Sequence, residues 1–356
     1  MINIPNLIDF NDLSVADWDE LCRLGSDIIA DPAKYAHACA GKVMATLFYE
    51  PSTRTQLSFQ TAMIRLGGSC IGFSDPKNSS VSKGESLRDT IKIVSNYADI
   101  AVMRNPVEGS AYAASMYSRV PLVNAGDGGH LHPTQTMADM FTIMREKGRY
   151  EGLAIGLCGD LLNGRTVHSL MKAFSRYKNN TFYFISTNEL RMPDYIYDII
   201  KRSDNRVISV NALDGCISKL DILYMTRIQR ERFASEADYR AQSGIFVLTE
   251  EKLRRAKDDL TILHPLPKVD EIEYEVDDDP RAKYFAQAEN GLYIRMALIY
   301  TMLAGSRGRL TRTEKYPIER RVCRNPRCVA ADEPYLPALT YEKDGRCFCR
   351  YCDCEL

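Results

Sequence analysis

Over about three hundred residues, apolar runs of strand length alternate with segments whose apolar residues recur at helical spacing, which limits the chain to parallel sheets covered by helices. Val43–Tyr49 reads as a buried strand; after Pro51 the series Phe59, Ala62, Met63, Leu66 lies on one helical face. Ile71–Phe73, Ile100–Met103 and Leu122–Val123 read as further strands. Between and after them come the helical stripes Leu87, Ile91, Val94 and Met137, Met140, Phe141, Met144. The pattern restarts with strands at Leu153–Cys158, Phe182–Ile185, Ile222–Met225 and Ile262–Leu263, with the stripe Val167, Leu170, Met171, Phe174 after the first. Two series predict two α/β domains, each a doubly wound parallel sheet, with the break in the helix after His132-Pro133. Gln287 to Leu303 reads as one more helix, ending at Gly305.

Length and charge agree. The 356 residues include 46 Lys or Arg and 47 Asp or Glu, a formal net charge of −1, with 45% hydrophobic side chains. Such a composition excludes disordered, collagenous and coiled-coil classes, and the length suits two domains with a small appendage. A near-neutral chain argues against a whole-molecule electrostatic role on nucleic acid or membrane. No apolar run reaches the ~18 residues of a bilayer crossing. The opening segment MINIPNLIDFNDLS has neither a basic leader nor an apolar core, so a soluble cytoplasmic protein is expected.

Five segments could carry chemistry. Ser52-Thr53-Arg54-Thr55 follows a strand and opens a helix, where unpartnered N–H groups, hydroxyls and a planar guanidinium together suit a phosphate; an ordinary N-cap beside a surface arginine is the plainer reading. Ser79-Ser80-Val81-Ser82-Lys83-Gly84-Glu85 is a polar loop that could carry a cation to an anionic ligand, or simply a solvated turn. Arg104, in Met103-Arg104-Asn105-Pro106, stands at the carboxyl end of a strand, where open parallel sheets bind ligands. His132, one of five histidines, precedes Pro133 and opens a helix with Thr134, Gln135 and Thr136. Finally, Arg165 opens a helix in the second half, Arg227 and Gln229 follow a strand, and His264-Pro265-Leu266-Pro267 ends another. Two guanidinium groups and an amide suit a dicarboxylate, although either arginine alone could be a surface ion pair.

In their order along the chain, Ser-Thr-Arg-Thr, Ser…Lys-Gly-Glu, Met-Arg-Asn-Pro, His-Pro-Thr-Gln-Thr, Gly-Arg-Thr-Val-His-Ser, Met-Thr-Arg-x-Gln and His-Pro-Leu-Pro resemble the catalytic chains of aspartate carbamoyltransferases, over about residues 1 to 305. The sister ornithine enzymes usually have a His-Cys-Leu-Pro type of segment and lack Thr-Arg-x-Gln, which sets this chain on the aspartate side. The resemblance implies two domains of the carbamoyltransferase type: a carbamoyl phosphate-binding domain at 1–133, with helix 287–305 packing back on it, and an aspartate-binding domain at 134–286. It implies that Ser52, Thr53, Arg54 and Thr55 bind phosphate, and that Arg104, His132 and Thr55 face the carbamoyl oxygen. Gln135 and the Pro265 and Leu266 carbonyls, in the segment closed by Pro267, would hold the carbamoyl nitrogen, while Arg165, Arg227 and Gln229 would take the aspartate carboxylates. It further implies a homotrimer whose sites are shared, with the loop serine and Lys83 reaching the adjacent subunit. Ser79 and Ser80 both qualify as that serine, and Ser80 is preferred. No cofactor enters such a reaction.

Six of the eleven cysteines fall between Cys323 and Cys354. Cys323-x4-Cys328 and Cys349-x2-Cys352 have the spacing of a tetrahedral Zn²⁺ site, and about 35 residues are too few to fold on an apolar core alone. Cys347 or Cys354 could replace one ligand. The tail resembles the zinc lobe of the aspartate carbamoyltransferase regulatory chain, without the nucleotide-binding domain that normally precedes it. A linker at 306–320 and a zinc lobe at 321–356 are expected, the lobe acting as an assembly clamp that could join trimers. The alternatives are a carbamoyltransferase acting on another amine, or a tail that is a nucleic-acid module, since Arg307, Arg309, Arg312, Lys315, Arg320, Arg321, Arg324 and Arg327 flank the cysteines.

Overall fold

The computed structural model describes residues 2–230, 233, 235–305 and 323–356. It divides into two compact units, Met1–Thr134 with Leu292–Leu356, and Gln135–Gly291.

In the first unit the chain runs β1 (Asn6–Leu7), α1 (Val15–Ala30), β2 (Val43–Phe48), α2 (Thr53–Arg65), β3 (Ser69–Phe73), α3 (Leu87–Tyr97), β4 (Ile100–Asn105), α4 (Ser110–Tyr117) and β5 (Leu122–Asp127). The strands form one parallel sheet in the order β1-β5-β4-β2-β3. β2 is followed by β3 on one side, and β4 is then laid on its other side. The order therefore reverses between β2 and β4, and in open sheets that reversal opens a crevice at the carboxyl ends of the two strands. Every residue of β4 and β5 is buried, which is why both read as near-continuous apolar runs. The stripe foreseen on α2 is its buried face: Phe59, Ala62, Met63 and Leu66 have no exposed surface.

Helix α5 (Pro133–Lys147) leads into the second unit, which continues with β6 (Ala154–Cys158), α6 (Arg165–Phe174), β7 (Thr181–Ile185), α7 (Asp194–Lys201), β8 (Arg206–Val210), β9 (Ile222–Met225), α8 (Glu236–Gln242), α9 (Glu250–Leu253) and β10 (Thr261–Leu263). Its parallel sheet has the order β10-β9-β6-β7-β8, so the reversal falls between β6 and β9. Helix α10 (Tyr284–Gly305) returns the chain to the first unit. It begins three residues before the sequence reading placed it. The expected architecture, two doubly wound parallel sheets and a small C-terminal lobe, is the observed one.

That lobe comprises α11 (Val329–Asp332) and the antiparallel pair β11 (Thr340–Lys343) and β12 (Arg346–Cys349). The expected linker at 306–320, with most of the basic residues proposed for nucleic acid, lies outside the described residues, as do Arg321 and Val322. The lobe is part of the first unit. Its buried Cys328, Val329, Leu339 and Tyr351 share a core with Ala111, Ala114 and Met116 of α4. Glu108 exchanges main-chain hydrogen bonds with the lobe, its N–H donating to the Arg327 carbonyl at 3.0 Å and its carbonyl accepting from Val329 N–H at 2.9 Å. Gly109, at φ +81°, permits this approach, because a Cβ there would lie 2.6 Å from Tyr351 main-chain atoms. Arg327, one of the arginines considered for nucleic acid, instead pairs with Glu108 at 3.2 Å. Among the described residues no helix is long and apolar enough to cross a membrane.

Candidate active site

In the first unit, the expected residues collect at the β2–β4 reversal. Four residues separate the end of β2 from the start of α2, so the helix's unpaired first-turn N–H groups and the positive end of its dipole lie at the carboxyl edge of the sheet. Ser52 occupies the N-cap position yet makes no side-chain bond to its own helix. Arg54 is exposed on the first turn; partial burial of its guanidinium, and then the neighbouring charge of Arg104, pull its pKa below the ordinary arginine value. Two guanidinium groups that repel each other at a helix N-terminus favour an anion between them.

Arg104 is only 8% exposed. Its Nη2 donates to Glu50 Oε1 at 2.9 Å, and its Nη1 contacts both the Ala125 carbonyl and His132 Nε2 at 3.4 Å. A guanidinium only donates, so this contact assigns His132 Nε2 as the acceptor and places the proton of the neutral ring on Nδ1. Arg104 Nε is buried with no hydrogen-bond partner among the described residues. Gly126, at φ +122°, makes room for the cluster: a Cβ there would sit 3.0 Å from Arg104 Nη1 and 3.4 Å from His132 Cδ2. Glu50 was not singled out from sequence. Its position just before Pro51-Ser52-Thr53-Arg54 was the available signal, since a fixed buried arginine requires a carboxylate nearby.

The Lys83 loop contains a short 3-10 turn, Ser80–Lys83, closed by Gly84 in the left-handed region at φ +89°. Ser79 is used within the loop, its hydroxyl donating to the Pro76 carbonyl at 2.8 Å and accepting from Val81 N–H at 3.3 Å. Ser80 and Lys83 are exposed.

In the second unit, the β6–β9 reversal gathers Arg165, Arg227 and Gln229. Arg165 starts α6 after the loop from β6, and Arg227 and Gln229 follow β9; all three are half-buried. Gln229 Nε2 donates to the Asn163 carbonyl at 3.2 Å, tying the two loops together. Asn163 in turn donates its N–H to the fully buried Asp160 at 2.9 Å.

Gln135 and the His-Pro-Leu-Pro segment are joined by residues that no local pattern reveals. Gln135 Nε2 donates to Asp139 Oδ1 at 2.7 Å, and Gln287 Nε2 donates to the same oxygen at 2.6 Å. Gln287 Oε1 accepts the His264 N–H at 3.0 Å. Tyr224 OH donates to Asp139 Oδ2 at 2.9 Å; burial, then the Asp139 charge, raise the pKa of that phenol far above normal. His264 Nδ1 accepts the Leu266 N–H at 2.7 Å, so its proton lies on Nε2, 2.7 Å from Glu271 Oε1. Burial alone would raise the Glu271 pKa, but the hydrogen bond from His264 and those from main-chain N–H groups, Val269 among them, outweigh it and hold the carboxyl below its ordinary range. This scaffold sets the main chain at Pro265, Leu266 and Pro267, where Leu266 has φ +54° and the Leu266–Pro267 bond is cis. Asp139, four residues after Gln135 on α5, was detectable as a helical neighbour; Gln287, 148 residues from Asp139, was not.

In the lobe, the sulfur atoms of Cys323, Cys328, Cys349 and Cys352 all lie within 4.8 Å of one another. Cys323 and Cys352 are 3.6 Å apart and Cys328 and Cys349 3.8 Å. Four thiolates at Zn–S distances of about 2.3 Å have tetrahedral edges of about 3.8 Å, so the set fits a Zn²⁺-sized ion and is far too open for disulfides at about 2.05 Å. Cys347 and Cys354 are not in the group.

The chain belongs to the aspartate/ornithine carbamoyltransferase family: residues 5–145 match the model of its carbamoyl-P binding domain and residues 151–302 that of its Asp/Orn binding domain. Within the family it is similar to the aspartate carbamoyltransferase catalytic subunit of Clostridium perfringens strain SM101, at 56% identity over 304 residues, 85% of this chain and 99% of the relative. The corresponding subunit of Clostridium acetobutylicum is 54% identical over the same shares. Among solved structures, the catalytic subunit of M. jannaschii aspartate transcarbamoylase matches with TM-score 0.80 and 45% identity, covering 84% of this chain and 98% of that one. The Trypanosoma cruzi enzyme in complex with carbamoyl phosphate and aspartate matches with TM-score 0.78 and 36% identity over 84% and 97%. The family models end before the four clustered cysteines.

Proposed function

We propose that the chain transfers the carbamoyl group of carbamoyl phosphate to the α-amine of L-aspartate, giving N-carbamoyl-L-aspartate and phosphate, the first committed step of pyrimidine synthesis. The observation that carries the site assignment is the cluster of Arg54, Arg104 and His132 at the tip of α2, with Arg104 Nε buried and lacking a partner among the described residues. Ser52, Thr53, Arg54 and Thr55 bind the phosphate dianion, with Ser80 and Lys83 as further donors. Arg104, His132 and Thr55 stabilise the oxyanion that develops on the carbamoyl oxygen. Gln135 and the Pro265 and Leu266 carbonyls hold the carbamoyl nitrogen, and Arg165, Arg227 and Gln229 bind the aspartate carboxylates. The nitrogen–carbon bond forms as the carbon–oxygen bond to phosphate breaks, and the departing phosphate is available to take the amine proton. The step balances without an electron carrier, and no cofactor is assigned to it.

Selectivity for aspartate rests on Arg227 and Gln229, whose segment suits a second carboxylate rather than an amine, and on the aspartate-specific names of the similar catalytic subunits. The test is to incubate the full chain with ¹³C-carbamoyl phosphate and either aspartate or ornithine. Labelled N-carbamoyl-aspartate is expected, with no product from ornithine; citrulline formation would contradict the reading.

We assign Zn²⁺ to Cys323, Cys328, Cys349 and Cys352 as a structural ion, from the all-sulfur donor set and its spacing. We also propose a cytoplasmic homotrimer in which Ser80 and Lys83 of one chain serve a neighbour's site, and a lobe that acts as a clamp in higher assembly.

A further inference from the structure

The start of α3 is finished by the C-terminal lobe. The first N–H groups of any helix lack partners within it and must find them elsewhere. Ser86 supplies a local cap, its hydroxyl accepting from Asp89 N–H at 3.2 Å. The two preceding donors are satisfied from almost 250 residues away: Leu87 N–H donates to Glu333 Oε1 and Arg88 N–H to the Tyr335 hydroxyl, both at 2.9 Å, across sequence separations of 246 and 247 residues. The Glu333 carboxylate also suits the positive end of the helix dipole. The Tyr335 ring is held in place, lying 4.4 Å beneath the Arg88 guanidinium and edge-on to Tyr117 with centroids 5.8 Å apart.

What lies on either side of these contacts gives them meaning. On one side, Lys83 stands only four residues before Leu87, and the intervening Glu85 is tied back to α3 by Thr90, whose hydroxyl donates to Glu85 Oε2 at 2.8 Å. On the other side, Glu333 is the C-cap of the single-turn helix that starts directly after Cys328, one of the four clustered thiols. A short, hydrogen-bonded path therefore runs from the metal-ligand set to the base of the Lys83 loop.

We propose that Glu333 and Tyr335 are positioning residues for that loop, so that filling the four-cysteine site fixes where Lys83 is presented. The proposal rests on the reading of Lys83 as a phosphate-binding residue and extends it to residues that touch no substrate. A lobe without its ion loses the rigid turn that carries Glu333, and the loop loses its anchor.

The experiment uses the full-length, zinc-loaded chain with Glu333→Ala, Tyr335→Phe, Glu333→Gln and Lys83→Ala. Hydrogen exchange across residues 80–90 and steady-state kinetics in carbamoyl phosphate are both read, with zinc content checked. Loss of a cap acceptor predicts exchange at Leu87 and Arg88 faster by about 3- to 30-fold in the Ala and Phe variants. A fall of about tenfold in kcat/KM for carbamoyl phosphate should accompany it, at one zinc per chain. Glu333→Gln retains the accepting oxygen and should restore both readouts. Tyr335→Phe deletes a single hydroxyl, so the test survives should Glu333→Ala fail to fold. If Lys83→Ala is impaired while exchange or kinetics in the Ala and Phe variants match the unmodified chain, the coupling is wrong. If Lys83→Ala itself behaves as the unmodified chain, the assignment of Lys83 fails, and the proposal with it.

Discussion

Replacing Arg104 by alanine lowers kcat by about a hundred- to thousandfold while leaving the chain folded. One donor aimed at a developing oxyanion is worth ~3–4 kcal/mol, a hundred- to thousandfold in rate. Arg104 has a second proposed task, because its Nη2 donates to Glu50 just ahead of the tip of α2 to which phosphate binding is assigned. Without it the Glu50 carboxylate, 35% exposed, is left without its guanidinium partner beside the proposed phosphate position, and substrate affinity falls as well. Glu50→Gln in the same chain should therefore recover part of the loss in KM but none of the loss in kcat. Arg54→Ala is expected to lose activity nearly completely for the complementary reason, removal of the phosphate's cationic fork. Saturation kinetics and a thermal melt check all three; a kcat for Arg104→Ala within tenfold of the unmodified chain contradicts the assignment.

Stripping the metal, or replacing Cys328 by serine, melts the C-terminal lobe but leaves both sheets intact. The buried residues on the lobe's side of the shared core are Cys328, Val329, Leu339, Cys349, Tyr351 and Cys352, half of them thiols from the clustered set. Such a core holds little apolar surface once the ion is gone, whereas a structural zinc site contributes about 10–16 kcal/mol. Exchange protection should vanish across 323–356 and persist in β4 and β5. Should the lobe act as a clamp, the stripped chain elutes on a sizing column as a smaller assembly than the loaded one; an unchanged elution volume removes the clamp. Retained protection in the stripped lobe would show that zinc is not what folds it.

What could be read from sequence was what local pattern encodes. The α2 tip stood out because strand, hydroxyls and arginine are contiguous between Val43 and Thr55, and the four-cysteine cluster because two cysteine pairs announce themselves by spacing. The helical stripes were legible because burial of one face imposes a 3.6-residue period. Helix α1 was not read, although Ser14 and Asp17 form a reciprocal capping box at its start. The strands β1 and β8 were not read: β1 is only two residues long, and the edge strand β8 has no fully buried residue. Long-range pairings were beyond reach in principle. Gln287 with Asp139, Glu333 with Leu87 and Asp353 with His130, at 3.1 Å, each join residues whose local sequence fits an ordinary surface position. Nothing in the tail's own sequence said that it would dock on α4 and on the start of α3 of its own chain.

The central claim is that the first turn of α2 receives the doubly negative leaving group. It is tested most directly by the crystal structure of this chain with N-(phosphonacetyl)-L-aspartic acid, the compound bound in one of the Trypanosoma cruzi structures. The account predicts phosphonate density within hydrogen-bond distance of Ser52, Arg54 and Thr55, with Arg104 Nε or Nη1 turned toward the adjoining carbonyl oxygen. A fully occupied ligand whose phosphonate lies elsewhere, with the tip of α2 left to solvent, would contradict it.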